Sequence, residues 1–593
     1  MKTASKKTGA GFWAFFGLLA LVDFALLELN RNPVHAWLLS AAILLLYALT
    51  RVKTLRAAPF LRRLALFLIF GVLLATVLLF FVGKTQLHPA VEGRNGGETA
   101  PLRFENGAEI VGLRTEDGAV EVYAGIPYAA AERWREPTLL APRTQAAVAF
   151  APMEMQPRHA AIFDSLSQII GYHDYRISLR DNFVEPCAES AELTLNVWRP
   201  AGAQEALPVL VYIHGGSLQT GQPWYADYRG EGLARKGVIV VNMAYRLGVF
   251  GFLALDELAA ESPNGTTGNY GLLDQIAALQ WVRENIAAFG GDPENVTLAG
   301  ESAGSACVSA LCTSPLARGL FRRAIGESST VTAPEPAHSF RALDEALETG
   351  RETLVRFGAA NAAELRAVPA EKLAAAADTN HHITIDGYVL TETPYESYRR
   401  GVHNEEALLQ GFNSQESAPF ILFSQANLKN YEAKVRAYFG GQADEVFALY
   451  PADSDALARS NWADIYGAAV FNYGHHCWTR QAIANGVPVW EYEFCKTNGR
   501  LGPWHSGEEI YCYGNLPADS RLFDESDRAL AEVFSSYFAN FCRTGDPNGP
   551  GLPAWARSET GAEIMELDVK QGMTLDPYRA LYAVLDRKYG WEE

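Results

Sequence analysis

The chain is 593 residues long, 49% hydrophobic and 20% charged, with a formal net charge of −18. That length and apolar content exclude a disordered chain and a single small domain. The acidic balance, with no basic stripe anywhere, excludes nucleic acid as a partner.

The first 85 residues read differently from the rest, with ten Lys/Arg against two acids, which leaves −26 on the remainder. Three apolar runs there predict transmembrane helices over about 11–29, 34–50 and 64–83. Each is long enough to cross a hydrocarbon core of about 30 Å. A secretory signal peptide would supply one such run and a cleavage site, not three. Asn30-Arg31-Asn32-Pro33 fits a tight helical hairpin. Basic residues precede the first run (Lys2, Lys6, Lys7) and separate the second from the third (Arg51, Lys53, Arg56, Arg62, Arg63). Positive residues favour the cytoplasmic side, which places everything after about 84 on the non-cytoplasmic side, periplasmic or extracellular. Asp23 and Glu28 lie in the first run, where a charge is costly. Asp23 is expected to pair within the bundle and Glu28 to reach the interface. Spans this poor in polar residues make a poor pore, so the expected role is an anchor in a lipid bilayer.

Residues 86–104 are polar with Gly and Pro and read as a linker. From 105 to 593 there is no second low-complexity break and no internal repeat, which predicts one large α/β domain. "PVLVYI" (208–213), "GVIVVN" (237–242) and "NVTLA" (295–299) are short β-branched runs, as buried central strands require. Between the last two, Leu272, Ile276, Leu279, Val282, Ile286 and Phe289 recur at helical spacing, and Gly290-Gly291 ends the run. Strand, helix, strand is the crossover unit of a parallel sheet. "YIHGGS" (212–217) follows the first of these strands and offers glycine N–H groups free of side chains. The expected oxyanion donors are Gly215, Gly216 and the N–H of Ala303, with His214 holding the loop.

"LAGESAGSA" (298–306) places Ser302 directly after the third strand and before a helix start of small residues. Gly-x-Ser-x-Gly is a weak pattern alone. In strand–turn–helix context it marks a nucleophile on a strained turn, with Gly300 and Gly304 leaving room for the close approach of strand and helix. A serine hydroxyl needs a base and an acid to orient it, in the chain order Ser, acid, His. "EALLQGFNSQES" supplies Glu416 after a strand-like run. Asp386, in "TIDGY", is the rival, but Asp-Gly marks a turn. Three histidines follow residue 410: His475 and His476 read as helical, whereas His505 sits in a Gly/Pro-rich loop after "VPVWEYEF" (487–494). His505 is the expected base and Glu416 the expected acid.

Seven cysteines (187, 307, 312, 477, 495, 512, 542) show no CxxC and no metal-ligand spacing, so no metal is expected. The odd count leaves at least one thiol unpaired.

In their order, these motifs resemble the type B carboxylesterase/cholinesterase family of α/β-hydrolases. "YAGIPYA" (123–129), "LTLNVWRP" (193–200), "VLVYIHGGS" (209–217) and "MAYRLGVFGFL" (243–253) follow the family order. "GNYGLLDQIAALQWVRENIAAFGGDPENVTLAGESAGSA" (268–306) is close to a full match. "LFRRAIGESS", "IDGYVL", "GFNSQES", "HSGEEIYCYG" and "NFCRTGDPN" complete the set. The resemblance implies an α/β-hydrolase fold over 105–593 and hydrolysis of a small-molecule carboxylic ester without a cofactor. It puts Ser302, Glu416 and His505 at the triad positions, Gly215, Gly216 and Ala303 at the oxyanion positions, and Glu301 and Ser328 as auxiliary groups nearby. Two departures stand out. Glu192 replaces a usual half-cystine, which weakens the case for choline esters, and Ser329 stands where glycine is usual. A lipase acting on membrane-proximal acyl lipids would use the same chemistry. An adhesion-type member lacking the serine would not, and here all three triad positions are filled. Trp224 and Tyr225, just past the oxyanion loop, fit either a substrate gorge or the core.

Overall fold

Helices form where the apolar runs predict them: α1 over Ala10–Leu29, α2 over Val34–Lys53 and α3 over Phe60–Phe80. The computed structural model describes residues 10–591 except 30–31, 33, 54–57, 82–86, 92, 158–186, 204–205, 377–379, 498–501 and 519–521. Lys2, Lys6, Lys7, Asn30, Arg31, Pro33 and Arg56 therefore lie outside the described residues. Among the described residues, these three helices are long and apolar enough to cross a membrane.

Two boundaries differ from the sequence expectation. Arg51 and Lys53 continue α2, and Arg62 and Arg63 lie in the first turn of α3, so the basic connection is shorter than 51–63. Lys and Arg are good helix formers, and at the end of α2 they also complement its dipole. Pro59 precedes α3, where a residue without an N–H is tolerated. Asp23 is buried with Ser40 of α2 as a polar neighbour, and Glu28 is half-buried. The Asn32 amide donates to the carbonyls of Leu78 (3.1 Å) and Phe81 (2.9 Å) at the C-terminal end of α3.

The second compact unit comprises Pro89–Pro157 and Cys187–Glu593. It begins earlier than the expected linker allows. Ala90 donates to Val148 O (2.9 Å), Thr99 to Gly112 O (3.0 Å), and Leu102–Arg103 pairs with Glu109–Val111. Composition reports side chains, and the backbone of this polar stretch still ladders. Residues 89–104 therefore pair with the second unit through their backbone.

Twelve strands among the described residues form one sheet. In chain order they are β1 Leu113–Arg114, β2 Val120–Ala130, β3 Thr138–Leu139, β4 Glu192–Pro200, β5 Leu207–Ile213 and β6 Ile239–Met243. They continue with β7 Gly291–Glu301, β8 Arg323–Glu327, β9 Leu408–Asn413, β10 Val489–Phe494, β11 Glu563–Leu567 and β12 Gly572–Leu575. The spatial order is β12-β11-β10-β9-β8-β7-β5-β6-β4-β2-β1, with β3 on β2. The run from β11 to β6 is parallel, and antiparallel strands close both edges. This mostly parallel sheet flanked by helices is the α/β-hydrolase architecture.

The crossover helix α4 spans Tyr270–Asn285 and continues as a 3-10 turn through Phe289. Leu272, Ile276, Leu279, Val282, Ile286 and Phe289 are all buried against the sheet in one core with Val209, Val211, Ile213 and Leu298. Each such side chain contributes about 1.5–3 kcal/mol of transfer free energy. Gly290, at φ 81°, ends the helix in a conformation that side chains disfavour. The crossover does not join neighbours: β5 lies between β6 and β7. As a result the glycine loop after β5 emerges directly beside the serine turn after β7, with Ile213 opposite Gly300.

Candidate active site

Ser302 sits between β7 and helix α5 (Ala303–Leu311) at φ 53°, ψ −125°. Few non-glycine residues adopt that backbone, and strain of this kind concentrates at functional turns. The turn is held because Ser302 N–H donates to Glu327 O of β8 at 2.8 Å. It also needs small neighbours. A Cβ on Gly304 would lie 2.0 Å from Ile213 O, and one on Gly300 would lie 2.6 Å from the carbonyl carbon of Gly304. A Cβ on Gly215 would come within 3.0 Å of the Ser302 Cβ. The glycine loop after β5 and the serine turn are therefore closely packed.

His505 and Glu416 meet the serine from the loops after β10 and β9. His505 Nε2 is 2.8 Å from Ser302 Oγ, and Nδ1 is 2.6 Å from Glu416 Oε2. The other Glu416 oxygen, Oε1, accepts the Asn413 N–H at 2.7 Å, which fixes the carboxyl plane. Glu416 and His505 are both buried. Burial disfavours a charged imidazole, but Glu301, Glu416 and Glu508 outweigh it and push His505 up to about 9.

Gly215 and Gly216 lie on the loop past β5, and Ala303 is the first residue of α5, with its N–H at the positive end of that helix. Among the described residues, the N–H groups of Gly215 and Gly216 donate to no other group. His214 supports this loop from beneath. Its ring stacks on Tyr245 at 4.6 Å, the Tyr245 hydroxyl donates to His214 O, and burial holds its imidazole down at about 4. Burial thus favours its neutral form, and its contacts tie the loop after β5 to Tyr245, just past β6.

The two auxiliary residues also sit at the site. Glu301 Oε1 accepts from the Ser506 hydroxyl (2.7 Å) and lies 3.3 Å from His505 Nε2. Ser328, at φ 61°, donates its hydroxyl to Glu508 Oε1 at 2.9 Å. Asn413 donates to the other Glu508 oxygen. Sequence reasoning assigned no role to Glu508, although it lies three residues after His505. It belongs to a nest of buried carboxyls with Glu327 and Glu509, and burial raises all three well above the ordinary range.

Also missed were two rings that cover the imidazole. Phe471 lies 4.8 Å and Phe420 5.0 Å from the His505 centroid, and the two rings are 5.0 Å apart. Phe471 projects from a π-helical segment, Ala468–Asn472, between helices α6 (Asp455–Gly467) and α7 (Tyr473–Ala484). Such bulges interrupt helices mostly at functional sites. Only Phe420 had a local signal, its place four residues after Glu416.

The rival candidates go elsewhere. Asp386 Oδ1 accepts three consecutive N–H groups, of Tyr388, Val389 and Leu390, in a turn. His475 is buried in α7 against Gln410, and His476 stacks on Tyr582. Trp224 stacks on Phe150 at 5.6 Å and is 3% exposed, which makes it core; Tyr225 is half-buried. Glu192 forms a two-pronged ion pair with Arg143, both contacts at 2.8 Å. Among the described residues, no disulfide joins any of the seven cysteines. Ser329 is buried, with its hydroxyl 3.4 Å from His338 Nε2.

Comparison with known proteins bears on the family of the whole catalytic region. The model of the carboxylesterase family matches residues 102–583. Fumonisin B1 esterase of Sphingopyxis macrogoltabida is 32% identical over 493 residues, covering 78% of this chain and 86% of that protein. Para-nitrobenzyl esterase of Bacillus subtilis is 32% identical over 408 residues, 65% of this chain and 80% of its own length. The crystal structure of a Geobacillus stearothermophilus carboxylesterase superposes with a TM-score of 0.68 at 29% identity, covering 82% of this chain and 100% of that one.

Proposed function

The chain belongs to the carboxylesterase family and is a carboxylic-ester hydrolase, and from that premise we propose that it works through an acyl-enzyme on Ser302 while tethered to a membrane by α1–α3. The observation that carries the mechanism is the unbroken hydrogen-bonded line Ser302–His505–Glu416, at 2.8 and 2.6 Å, converging from the C-terminal ends of β7, β10 and β9.

In this reading His505 Nε2 takes the proton as Ser302 Oγ bonds to the ester carbonyl carbon. The carbonyl π pair moves onto oxygen, and the N–H groups of Gly215, Gly216 and Ala303 receive that oxyanion. Glu416 holds the ring and favours the imidazolium. Collapse breaks the bond to the alcohol oxygen, which leaves with the proton from Nε2. Water then gives a proton to the same nitrogen as its oxygen bonds to the acyl carbon; collapse breaks the bond to Ser302 Oγ, which takes that proton back from Nε2 as the acid is released. The substrate is a small-molecule ester; two relatives are named for a fumonisin and a p-nitrobenzyl esterase, alike only in that reaction class.

The domain reading that goes with this is an anchor up to about residue 85 and a hydrolase domain after it, on the non-cytoplasmic side. The basic residues flanking α2 and α3 support that orientation. The test is Ser302→Ala assayed on p-nitrophenyl acetate, with a fluorophosphonate probe on the wild type. Loss of turnover and a probe adduct on Ser302 are expected; an unchanged rate overturns the assignment.

A further inference from the structure

Immediately past Glu416 the chain runs through Ser417–Leu428, twelve residues without a charge. The unit that carries it is strongly acidic. Within this stretch Ile421 and Ala426 are buried in a core with Phe412 and Tyr431. Successive turns tie it down: Phe420 and Ile421 donate to Ser417 O, and Ser424 donates to Ile421 O. The result is a fixed knuckle, and its outer face is apolar. Phe420 is 44%, Leu422 55% and Phe423 98% exposed. At the inner end the Phe420 ring touches the His505 imidazole. One short apolar run thus contributes both a ring beside the imidazole and side chains exposed at the surface.

Contiguous exposed apolar side chains at the mouth of a site mark a surface that meets something apolar. Two observations favour a bilayer as the occupant. The eight residues between Phe80 and Pro89 span at most about 30 Å, so the chain enters the second unit within that distance of the end of α3. The knuckle's freedom from charge also suits the headgroup boundary, where a charged side chain would resist insertion.

We propose that Leu422 and Phe423 insert into the surface of a lipid bilayer and admit long-chain esters dissolved there to Ser302. This rests on the tethered-esterase reading and names its substrate class. Leu422 and Phe423 act as docking residues and touch no reacting atom.

The experiment uses the full chain reconstituted in phosphatidylcholine liposomes, as wild type and as Leu422→Ser/Phe423→Ser. Two esters are compared: p-nitrophenyl butyrate in the aqueous phase and p-nitrophenyl palmitate dissolved in the bilayer. The double variant should lose about tenfold or more on the palmitate, the factor expected when roughly 1.4 kcal/mol of apolar insertion is removed. It should stay within about twofold on the butyrate. An unchanged palmitate-to-butyrate ratio overturns the proposal. A second measurement places an NBD label at Phe423→Cys in a background with Cys187→Ser and Cys495→Ser. Quenching by doxyl-labelled phosphatidylcholine is expected. Emission indifferent to the quencher overturns the proposal, as does a shift that follows protein-to-lipid ratio alone, which would mean a second copy of the chain covers the knuckle. Butyrate turnover by the wild type and retention in the bilayer after an alkaline wash report separately on the esterase and the tether.

Discussion

Nε2 of His505 lies 3.3 Å from Oε1 of Glu301, on the same side of the ring as the serine hydroxyl. A second carboxyl therefore lies against the nitrogen that, in the proposed mechanism, accepts the serine proton. Glu301 is the strongest of the groups that raise His505, ahead of Glu416 and Glu508, and together they overcome burial to reach about 9.

The sign of the pH dependence follows. A base works only when unprotonated, so kcat/KM should rise with pH and level off near pH 9. Glu301→Gln keeps an acceptor for Ser506 but removes the charge, so the ascending limb should move to lower pH by about one unit or more. Superimposable pH–rate profiles for the two proteins would contradict this.

Glu416→Gln should leave the fold intact, because the amide oxygen can still accept the Asn413 N–H. The imidazolium formed in each step would lose its counter-charge, and kcat should fall on the order of 10³-fold or more. Steady-state kinetics with a matched thermal melt checks it; a kcat within a few-fold of wild type removes Glu416 from the mechanism.

Gly304→Ala drives a Cβ to 2.0 Å from Ile213 O, and the contact is with backbone on both sides. No side-chain rotation relieves it, so β5 and α5 must separate. A loss of about 3 kcal/mol or more is expected, read as a lowered melting temperature, together with reduced turnover as Ala303 moves. Gly319→Ala is the control, since a Cβ there meets nothing within 4 Å, although its φ of 74° adds some strain. Equal melting temperatures for the two variants would refute the packing account.

With the second unit on the non-cytoplasmic side, protease added outside intact cells should reach its loops, leaving a fragment containing α1–α3 in the membrane. Complete protection until the membrane is opened would reverse the orientation.

Much of this molecule could be read in advance because the relevant information is local. The 3.6-residue repeat from Leu272 to Phe289 describes one helix, and the β-branched runs describe single strands. The residues flanking Ser302 state the turn they must make. What escaped depends on relations through space. Nothing near residue 239 tells that β6 and β7 are separated by β5. Phe471 covers His505 only because a π-helical turn rotates it there, and helical periodicity assumes no such turn. The ladder through 89–104 was hidden for another reason: its bonds are made by backbone groups, which every residue but proline carries alike.

The line from Ser302 to His505 joins residues 203 apart in the chain. At about 5–20 residues per second of synthesis, the serine turn emerges roughly 10–40 s before its base has been made. During that interval the nascent chain carries a hydroxyl no more reactive than any other serine. By then α1–α3 are already complete, since they lie more than two hundred residues upstream of Ser302. In the proposed mechanism, a chain interrupted before residue 505 would carry the serine turn and α1–α3 but lack the base.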